Sequence, residues 1–282
     1  MQCRIVSNVS SDMFGEFINS IKYSMEELGH EIVPTIYLDE NGQCPNPKHH
    51  DINIVVSGFR PVNLKDIRGI KILSQTEELW NRREKGVYDL SNGYNRVLEQ
   101  FMENVNIPRG TNNVVYCPYG YSKAYENNLP EVEEDIDGYF YGSLTERRKG
   151  FFYTIANSTN NKFKIRDVEG EFGDERNKNI MRSKIIIDCK ASDNWSISKI
   201  RCYLGQANKK FILAEKSSVD PHPYIPNKHY IEYDGVNDFI DKMNYWLKHD
   251  DERNEFALNA HNDLKENCQF TQYIEEGLKG LI

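Results

Sequence analysis

The chain has 282 residues, with 43 acidic against 35 basic side chains, a formal net charge of −8, and hydrophobic and aromatic fractions of 39% and 12%. This composition predicts a packed globular protein and argues against disorder. The acidic balance disfavours a broad duplex-binding surface, because affinity for nucleic acid usually comes from clustered Lys and Arg. No apolar run approaches the ~18 residues of a membrane span, and the N-terminal MQCRIVSN resembles a first strand more than a signal peptide. We therefore expect a cytoplasmic protein of two domains of roughly 140 residues each.

The first half of the chain alternates strand-like and helix-like patterns. Apolar residues recur at helical spacing between positions 14 and 28, and Gly29 supplies a C-cap. Residues 39–51 are rich in Asn, Pro, Gly and His, which predicts a loop. The predicted strands lie at residues 3–8, 30–37, 52–57, 70–74 and 113–117, and further helices are predicted before Gly69, after residue 77 and over 95–104.

The second half repeats this alternation after an acidic segment at residues 130–137. Strands separated by helical segments of ten or more residues imply parallel sheets covered on both faces. The sequence therefore predicts an α/β protein of two Rossmann-like domains that face each other. The predicted strands lie at residues 138–141, 163–168, 184–188, 210–214 and 230–233, and helices are predicted from residue 146, over 175–182, over 195–206 and after residue 233.

Several stretches of the chain occur in an order that indicates a family. They read KILSQTEELW, CPYGYS, YGSLTERRKGF, SKIIIDCKASDNWSISKIRCYLGQANKKFILAE and HYIEYDGVNDFIDKMNYWLKHDDERNEFALNAHNDL. In this order they resemble CgeB-like proteins of the glycosyl transferases group 1 family, most firmly over residues 138–264. MEELGHEIV resembles the first helix-to-strand turn of GT-B glycosyltransferases.

The resemblance implies an α/β enzyme of the GT-B class, with two Rossmann-like domains facing each other across a cleft. We divide it into an acceptor-side domain at residues 1–122, a linker at 123–137 and a donor domain at 138–282. The expected donor is a nucleotide-sugar, with a UDP-sugar favoured, and it acts as a co-substrate, so no further cofactor is expected. The acceptor hydroxyl is held mainly by the first domain.

One departure from the family pattern keeps other functions open. Many relatives carry an early glutamate of an E-x7-E pair, where this chain has Trp195, Ser196 and Tyr203. A non-catalytic nucleotide-sugar-binding module is therefore one alternative, and a sugar-nucleotide 2-epimerase, which shares the two-domain scaffold, is another. For a transferase, a glycan or small-molecule acceptor is favoured over a hydroxymethylated DNA base, because the chain is acidic.

The densest candidate for donor binding is YFYGSLTERRKGFF, at residues 139–152. A glycine past the end of a strand lets the backbone approach a diphosphate, and cations there stabilise the leaving group. GSLTERRKG is similar to the G-x-L-x-x-x-K-G pattern of related transferases, which implies a phosphate-binding role for Lys149 and one arginine. Arg147 and Lys149 cannot share a helix face with Arg148, so at most two of the three point inward. The candidates are Gly142, Ser143, Arg147, Arg148 and Lys149, and the alternative is a solvated basic helix face.

Two other strand ends supply further donor-side candidates. The strand ending at Asp188 precedes a helix start that could face a phosphate. That helix start carries Ser196, Ser198 and Arg201. The alternative is an ordinary capped helix with Arg201 paired to an acid. Glu215 ends the strand FILAE, where it could accept hydroxyls of the ribose or donor sugar, or simply cap the following loop.

Acceptor-side candidates follow the strands of the first half. Glu77 comes after a buried strand and could be the general base for an acceptor hydroxyl. The alternative is a helix N-terminal acid stabilised by the helix dipole. Asp12, after the first strand, is a similar case. The remaining acceptor-side candidates are Ser57, Gly58, Gln75, Thr76 and Tyr119.

Metal-binding signals are weak in this sequence. Asp135 and Asp137 spell the D-x-D motif of the other glycosyltransferase fold, but they lie in an acidic linker where a solvated charge run is expected. The histidines lack metal-ligand spacing, and the six cysteines show no CxxC pair. We therefore expect no metal site and no disulfide.

Overall fold

The computed structural model describes residues 1–7, 11–39, 41–44, 49–57, 62–79, 92–107, 113–130 and 132–282, without the side chains of residues 11–13. The chain divides into two compact units. The first consists of Met1–Ala124 together with Gln269–Ile282, and the second of Tyr125–Cys268. No helix in these ranges has the length and apolar character needed to cross a membrane.

The first unit is built on a six-stranded sheet in which every pairing is parallel. Its strands are β1 (Gln2–Ser7), β2 (Glu31–Tyr37), β3 (His49–Ser57), β4 (Arg68–Gln75), β5 (Arg96–Glu99) and β6 (Val114–Tyr116), in the order β2-β1-β3-β4-β5-β6. Its helices include α1 (Ser11–Glu27), α2 (Met102–Val105) and short 3-10 turns at Leu64–Asp66 and Lys123–Tyr125. Pro34 lies in the edge strand β2, where a residue without an amide hydrogen is tolerated.

The helix predicted over residues 95–104 is wrong. The structure has β5 there, followed by the short helix α2. Val97 and Leu98 are fully buried because a strand of a parallel sheet is covered on both faces. Asn95 fixes the start of this strand, since its side-chain oxygen accepts from the Lys71 amide at 2.8 Å. A short apolar run of this kind does not distinguish strand from helix by periodicity alone.

The second unit is built on a five-stranded sheet, again with every pairing parallel. Its strands are β7 (Ile136–Tyr141), β8 (Ile165–Val168), β9 (Ser183–Asp188), β10 (Phe211–Glu215) and β11 (Ile231–Tyr233), in the order β11-β10-β9-β7-β8. Its helices are α3 (Glu146–Thr159), α4 (Gly173–Arg182), α5 (Lys199–Ala207), α6 (Gly235–Trp246) and α7 (Asp250–Asn267).

Both sheets place the first strand of the unit between the second and the third. In open parallel sheets of this order, ligands bind beyond the carboxyl ends of the first and third strands, where the winding changes direction. In the second unit these strands are β7 and β9. The predicted α/β class with two parallel sheets is confirmed. The strand order indicates that ligands bind at the carboxyl edge of each sheet.

The end of the chain belongs to the first unit and not to the predicted donor domain 138–282. Helix α8 (Phe270–Leu278) packs against α1, with the rings of Phe270 and Phe17 5.7 Å apart. Arg96 Nη1 donates to the Gly277 carbonyl at 2.8 Å. A Cβ on Gly277 would lie 2.9 Å from Leu98 Cδ2, so the helix lies directly against β5. Because of these contacts, the second unit ends at Cys268, whereas the predicted donor domain continued to residue 282.

Candidate functional site

The donor-side candidates lie at the carboxyl edge of the sheet in the second unit. Tyr141, Asp188 and Glu215 are the last residues of β7, β9 and β10, which are neighbours in the sheet. Gly142 follows β7 with φ at +136°, a conformation that side chains rarely adopt. Helix α3 begins just after this glycine, and α5 follows the loop after β9. Parallel strands therefore bring residues that are far apart in sequence to one edge.

A buried ion pair between Asp188 and Arg201 occupies the centre of this edge. Their side chains are 1% and 7% exposed, and Arg201 Nη1 donates to Asp188 Oδ1. Arg201 Nε also donates to the Tyr141 carbonyl at 2.8 Å, and the Ser198 amide donates to Asp188 Oδ2 at 3.2 Å. Because this bond holds the loop after β9, α5 begins at Lys199 and not at the predicted residue 195. The pair thus links β7, β9 and α5.

Gly142 is required by this ion pair as well as by its own backbone conformation. A Cβ at this position would lie 2.5 Å from Arg201 Nη2. A larger residue would therefore push the guanidinium away from the end of β7. The glycine that the sequence predicted for close approach of a ligand is, in the structure, the residue that lets an arginine reach the strand end.

Arg148 is a second buried guanidinium at the same edge. Its Nε donates to the Cys189 carbonyl and its Nη1 to the Ser143 carbonyl, both at 2.8 Å. Burial, followed by the positive charge of Arg201, lowers the pKa of Arg148 to about 10. The side chain therefore stays cationic at neutral pH while it connects the loops that follow β7 and β9.

The guanidinium of Arg147 is bound by two carboxylates. Both of its Nη atoms donate to the carboxylate of Glu215, and its Nε donates to Asp193 Oδ1 at 2.9 Å. The hydrogen bond to Glu215 raises the pKa of Arg147. Burial opposes ionisation of Glu215, but hydrogen bonds from Arg147 and from the Lys190 amide leave its pKa lower than usual. A carboxylate has roughly four lone-pair positions that can accept hydrogen bonds. Because the bonds from Arg147 and the Lys190 amide occupy most of them, Glu215 can accept few hydrogen bonds from ribose hydroxyls.

Lys149 lies on the solvent side of α3. Its ammonium pairs with Glu146 at 3.0 Å, and the two side chains are 55% and 92% exposed. Two of the three cations point inward, but they are the neighbours Arg147 and Arg148, so the prediction that these two cannot share a face is wrong. The first turn of α3 sits close to the strand ends, so two successive side chains can reach them. The resemblance had favoured Lys149 for the phosphate, and its exposed position gives no support to that assignment.

The other polar candidates at this edge have local partners. Ser196 is buried, and its hydroxyl donates to the Ile197 carbonyl at 3.2 Å. Ser198 contributes its amide to Asp188, as described above, and Ser143 contributes its carbonyl to Arg148. In the structure these serines shape the loops around the cations.

Sequence reasoning missed three further cations in the second unit, which follow strands or lie in the first turns of helices. Lys190 Nζ donates to the Asp193 carbonyl at 3.1 Å, and Lys199 Nζ donates to the His222 carbonyl at 2.9 Å. The guanidinium of Arg176, in the first turn of α4, lies 5.6 Å from the centre of the Tyr141 ring, and burial lowers its pKa to about 10. A usable signal was present, because each residue follows shortly after a strand or begins a helix.

The acceptor-side candidates of the first unit lie at the carboxyl end of β4. Gln75 and Thr76 are buried, and the Glu77 amide donates to Gln75 Oε1 at 3.1 Å. Asn104 fixes the same loop, since its Nδ2 donates to the Glu77 carbonyl at 2.8 Å and its Oδ1 accepts from the Leu79 amide. The structure therefore fixes the backbone of Glu77 from two sides.

The remaining acceptor-side candidates are less informative. Ser57 ends β3 and is buried, with its carbonyl 3.4 Å from the Thr76 amide. Tyr119 packs in the core against Phe17, at 5.1 Å between ring centres, so it does not form an open stacking surface. Asp12 lies in the first turn of α1, but its side chain is outside the described atoms, and Gly58 is outside the described residues.

Polar groups at the end of β5 were missed because that strand was predicted as a helix. Glu99 and Gln100 are fully buried there, beside the loop that carries Glu77. Glu99 Oε2 accepts from Asn104 Nδ2 at 2.7 Å, and Gln100 Nε2 donates to the Ser74 hydroxyl at 3.3 Å. The carboxyl ends of β3, β4 and β5 therefore all carry buried polar side chains.

The D-x-D motif lies away from both of these edges. Asp135 lies just before β7 and Asp137 is the second residue of that strand, at the amino end of the sheet. Asp135 pairs with Arg182 at 2.6 Å, and Asp137 pairs with Lys184 at 3.3 Å. Within the described ranges, no three His, Cys, Asp or Glu side chains are grouped in a way that could hold a metal ion. All six cysteines are buried free thiols.

Removing Asp188 should destabilise the second unit strongly. Asp188→Ala leaves the buried Arg201 without its counter-ion, and loss of one partner of a buried pair costs about 3–5 kcal/mol. We expect a clear fall in the thermal midpoint measured by circular dichroism. The matched control Lys149→Ala removes an exposed partner and should leave the midpoint unchanged. Equal midpoints for Asp188→Ala and the wild-type protein would contradict the central role of the pair.

Comparisons with known proteins identify the family. The sequence profile of the family described as glycosyl transferase-like matches residues 129–277, which is more than half of the chain. None of the curated proteins matches the sequence.

Solved structures share the fold at low sequence identity. HepE from Anabaena in complex with UDP-glucose is 7% identical with a TM-score of 0.65, and the match covers 99% of both chains. T4 phage BGT in complex with UDP and Mn2+ is 11% identical with a TM-score of 0.61, over 99% of this chain and 100% of that one. S. aureus TarM, solved with Fondaparinux, alpha-GlcNAc-glycerol and UDP, is 12% identical with a TM-score of 0.54. The match covers 80% of this chain and only 54% of TarM. The chain belongs to the glycosyl transferase-like family and is a glycosyltransferase with the GT-B fold.

Proposed function

We propose that the protein transfers a sugar from a UDP-sugar to a hydroxyl of a glycan or small molecule, with the donor diphosphate bound where β7 and β9 end. The observation that carries this proposal is the pair of buried guanidiniums, Arg148 and Arg201, at the point where the winding of the sheet changes direction. Buried cations are costly without a counter-charge, and Asp188 balances one of the two. UDP is favoured because HepE, BGT and TarM were solved with UDP or UDP-glucose.

The chemistry of glycosyl transfer explains why cations are needed at this edge. The bond between the sugar C1 and the diphosphate oxygen breaks, a bond from C1 to the acceptor oxygen forms, and the acceptor hydroxyl loses its proton. The departing diphosphate gains one negative charge. Guanidiniums that are already fixed in place stabilise this charge without reorganising, and the first amides of α3 and α5 add positive partial charge.

We propose that the first unit supplies the acceptor-side groups. Glu77 is our candidate for the general base, because the hydrogen bonds of Gln75 and Asn104 fix its backbone beside buried polar strand ends. Amide and carboxylate groups suit an acceptor rich in hydroxyls. We place the reaction in the cytoplasm, and the six buried free thiols are compatible with a reducing compartment.

A screen of nucleotide-sugars tests the proposed donor. The purified protein is incubated with UDP-, GDP-, TDP- and CMP-sugars, and the released nucleotide is measured by chromatography. We expect slow release of UDP from a UDP-sugar and none from CMP-sugars, because a CMP-sugar lacks the diphosphate that the paired guanidiniums would hold. Nucleotide binding without any turnover, with acceptors present, would indicate a binding module, and a changed sugar still attached to UDP would indicate an epimerase.

We also propose that catalysis needs no metal ion. Fixed cations and helix amides can neutralise the leaving group, which is the task that a divalent ion performs in other transferases. Turnover should therefore persist in excess EDTA. BGT was solved with Mn2+ as well as UDP, so the experiment includes Mg2+ and Mn2+ additions. Activity that EDTA abolishes and either ion restores would overturn this proposal.

The acceptor class can be decided with modified DNA. An enzyme that acts on a DNA base must hold the duplex by its phosphates, and this chain has 43 acids against 35 bases. We expect no transfer when enzyme and donor are incubated with hydroxymethylated and unmodified duplexes and the nucleosides are analysed by mass spectrometry. A nucleoside heavier by one hexose, from the modified duplex alone, would replace the glycan proposal with the DNA alternative.

A further inference from the structure

A cleft lies at the amino end of the sheet in the second unit, opposite the edge that carries Asp188 and Glu215. Its volume is about 710 Å³, and small-molecule sites typically have volumes of roughly 300–1,000 Å³. Lys209 and Lys210 line it directly before β10, and Glu134 lines it shortly before β7. The described lining residues all belong to the second unit. The cleft is therefore separate from the proposed donor site.

Helix α7 forms one wall of this cleft. Asn254, Leu258, His261 and Lys265 line it, and their spacing places them on one face of the helix. Val132 lines it as well, and Val132 and Leu258 are 45% and 43% exposed. The cleft thus combines hydrogen-bonding side chains with a small apolar patch that solvent reaches.

The charges that line the cleft do not balance. Lys210 pairs with Glu134, and Lys265 pairs with Glu126 at 3.3 Å. Within the described ranges, the ammonium of Lys209 makes neither a hydrogen bond nor an ion pair. Three lysines against two glutamates leave one surplus positive charge at the cleft, in a chain whose net charge is −8. This surplus favours a ligand that carries negative charge.

Lys209 occupies a backbone position that usually holds glycine. The Lys210 amide donates to the Gly205 carbonyl at 3.0 Å, and the Lys209 amide donates to the Gln206 carbonyl at 2.9 Å. These two bonds form the Schellman motif that ends α5, and glycine is the common residue at its left-handed position. The φ of Lys209 is +56°. The chain therefore places a lysine where the backbone favours glycine, with its ammonium at the cleft.

Asn127 supplies a second polar group whose hydrogen-bonding capacity is unused. Its amide donates to Asn208 Oδ1 at 2.7 Å, and Asn208 Nδ2 donates to the Tyr125 carbonyl at 3.0 Å. These bonds fix the backbone of residues 125–127 beside the end of α5. The side-chain nitrogen of Asn127 is buried and has no hydrogen-bond partner among the described residues, although buried polar atoms almost always have one. Because χ2 of asparagine is broad, a small rotation turns this nitrogen towards a ligand in the cleft.

We propose that this cleft binds an acidic oligosaccharide, with Lys209 on its carboxylate and the Asn127 amide on a hydroxyl. Sugar hydroxyls both donate and accept, so they can also pair with the amides and carboxylates of the lining. The location of the site is independent of the donor edge, whereas the choice of an oligosaccharide rests on the proposed glycan acceptor. A glycan bound here contacts the second unit at the end opposite the donor edge, so it can stay attached while donor and UDP exchange.

The first measurement compares matched ligands on the unmodified protein by calorimetry. One probe, 3′-sialyllactose, is a trisaccharide with a single carboxylate, and 3′-galactosyllactose is a neutral trisaccharide with the same lactose core. Inorganic phosphate supplies charge without a sugar. We expect 3′-sialyllactose to bind about tenfold more tightly than either of the others, the effect of one charge-assisted hydrogen bond. It should stay bound in saturating UDP.

Three results of this comparison would overturn the inference. The first is no binding of 3′-sialyllactose. The second is equal binding of the neutral trisaccharide or of phosphate, which would remove the role of the carboxylate or of the sugar. The third is displacement of 3′-sialyllactose by UDP, which would place the ligand at the donor edge.

The second measurement assigns the residues. Lys209→Gly removes the ammonium and suits the positive φ, so it should weaken 3′-sialyllactose by about tenfold or more without lowering the thermal midpoint. Asn127→Ala removes a donor without a partner and should weaken binding by about fivefold at an unchanged midpoint. The matched control Lys149→Ala removes an exposed lysine at the opposite edge of the sheet and should leave the affinity unchanged.

The variants can contradict the inference in two ways. Unchanged affinity in both Lys209→Gly and Asn127→Ala would place the ligand elsewhere. A lower thermal midpoint for Lys209→Gly would assign the lysine to the helix dipole at the end of α5 and remove it from the site.

The cleft and the proposed function can fail separately. Binding of 3′-sialyllactose that depends on Lys209, without turnover of any nucleotide-sugar, would support the cleft and remove support from the transferase proposal. Turnover of a UDP-sugar without binding of 3′-sialyllactose would support the transferase and overturn the inference about the cleft.

Discussion

The buried ion pair between Asp188 and Arg201 fixes the geometry of the second unit at the carboxyl edge of its sheet. It joins the end of β7, the end of β9 and the start of α5, since Arg201 also binds the Tyr141 carbonyl and Asp188 also binds the Ser198 amide. A buried ion pair adds little net stability compared with well-packed apolar residues. Its value here is positional, because it holds the Arg201 guanidinium at the end of β7.

The proposed donor site would reconcile an acidic protein with an anionic substrate. The chain carries a net charge of −8, which opposes the approach of a nucleotide-sugar at long range. The proposed donor site would therefore depend on a few cations that are partly shielded from solvent, where electrostatic interactions are stronger than at the surface. Arg148 and Arg201 meet this condition, whereas Lys149 forms a pair in water that salt weakens. Local burial, more than overall charge, distinguishes these two arginines from Lys149.

The sequence predicted the parts of the fold that depend on local pattern. Alternating strands and helices indicated parallel sheets, and strand ends such as Asp188 and Glu215 were found as predicted because they close apolar runs. Sequence spacing could not assign the cations of α3, since their directions depend on where the first turn lies relative to the strand ends. Arg201 pairs with an acid, as one alternative predicted, but the sequence could not identify that acid as Asp188 at the end of β9. It also could not distinguish the buried strand β5 from a helix.

The return of α8 to the first unit sets the order in which the chain can fold during synthesis. Phe270 is fully buried against α1, and Gly277 lies against Leu98, so part of this unit's packing is synthesised only after the whole second unit. Residues 125–268 form a compact unit whose own contacts are complete before α8 emerges. The second unit can therefore fold first, while the first unit exposes an apolar face until α8 has been synthesised.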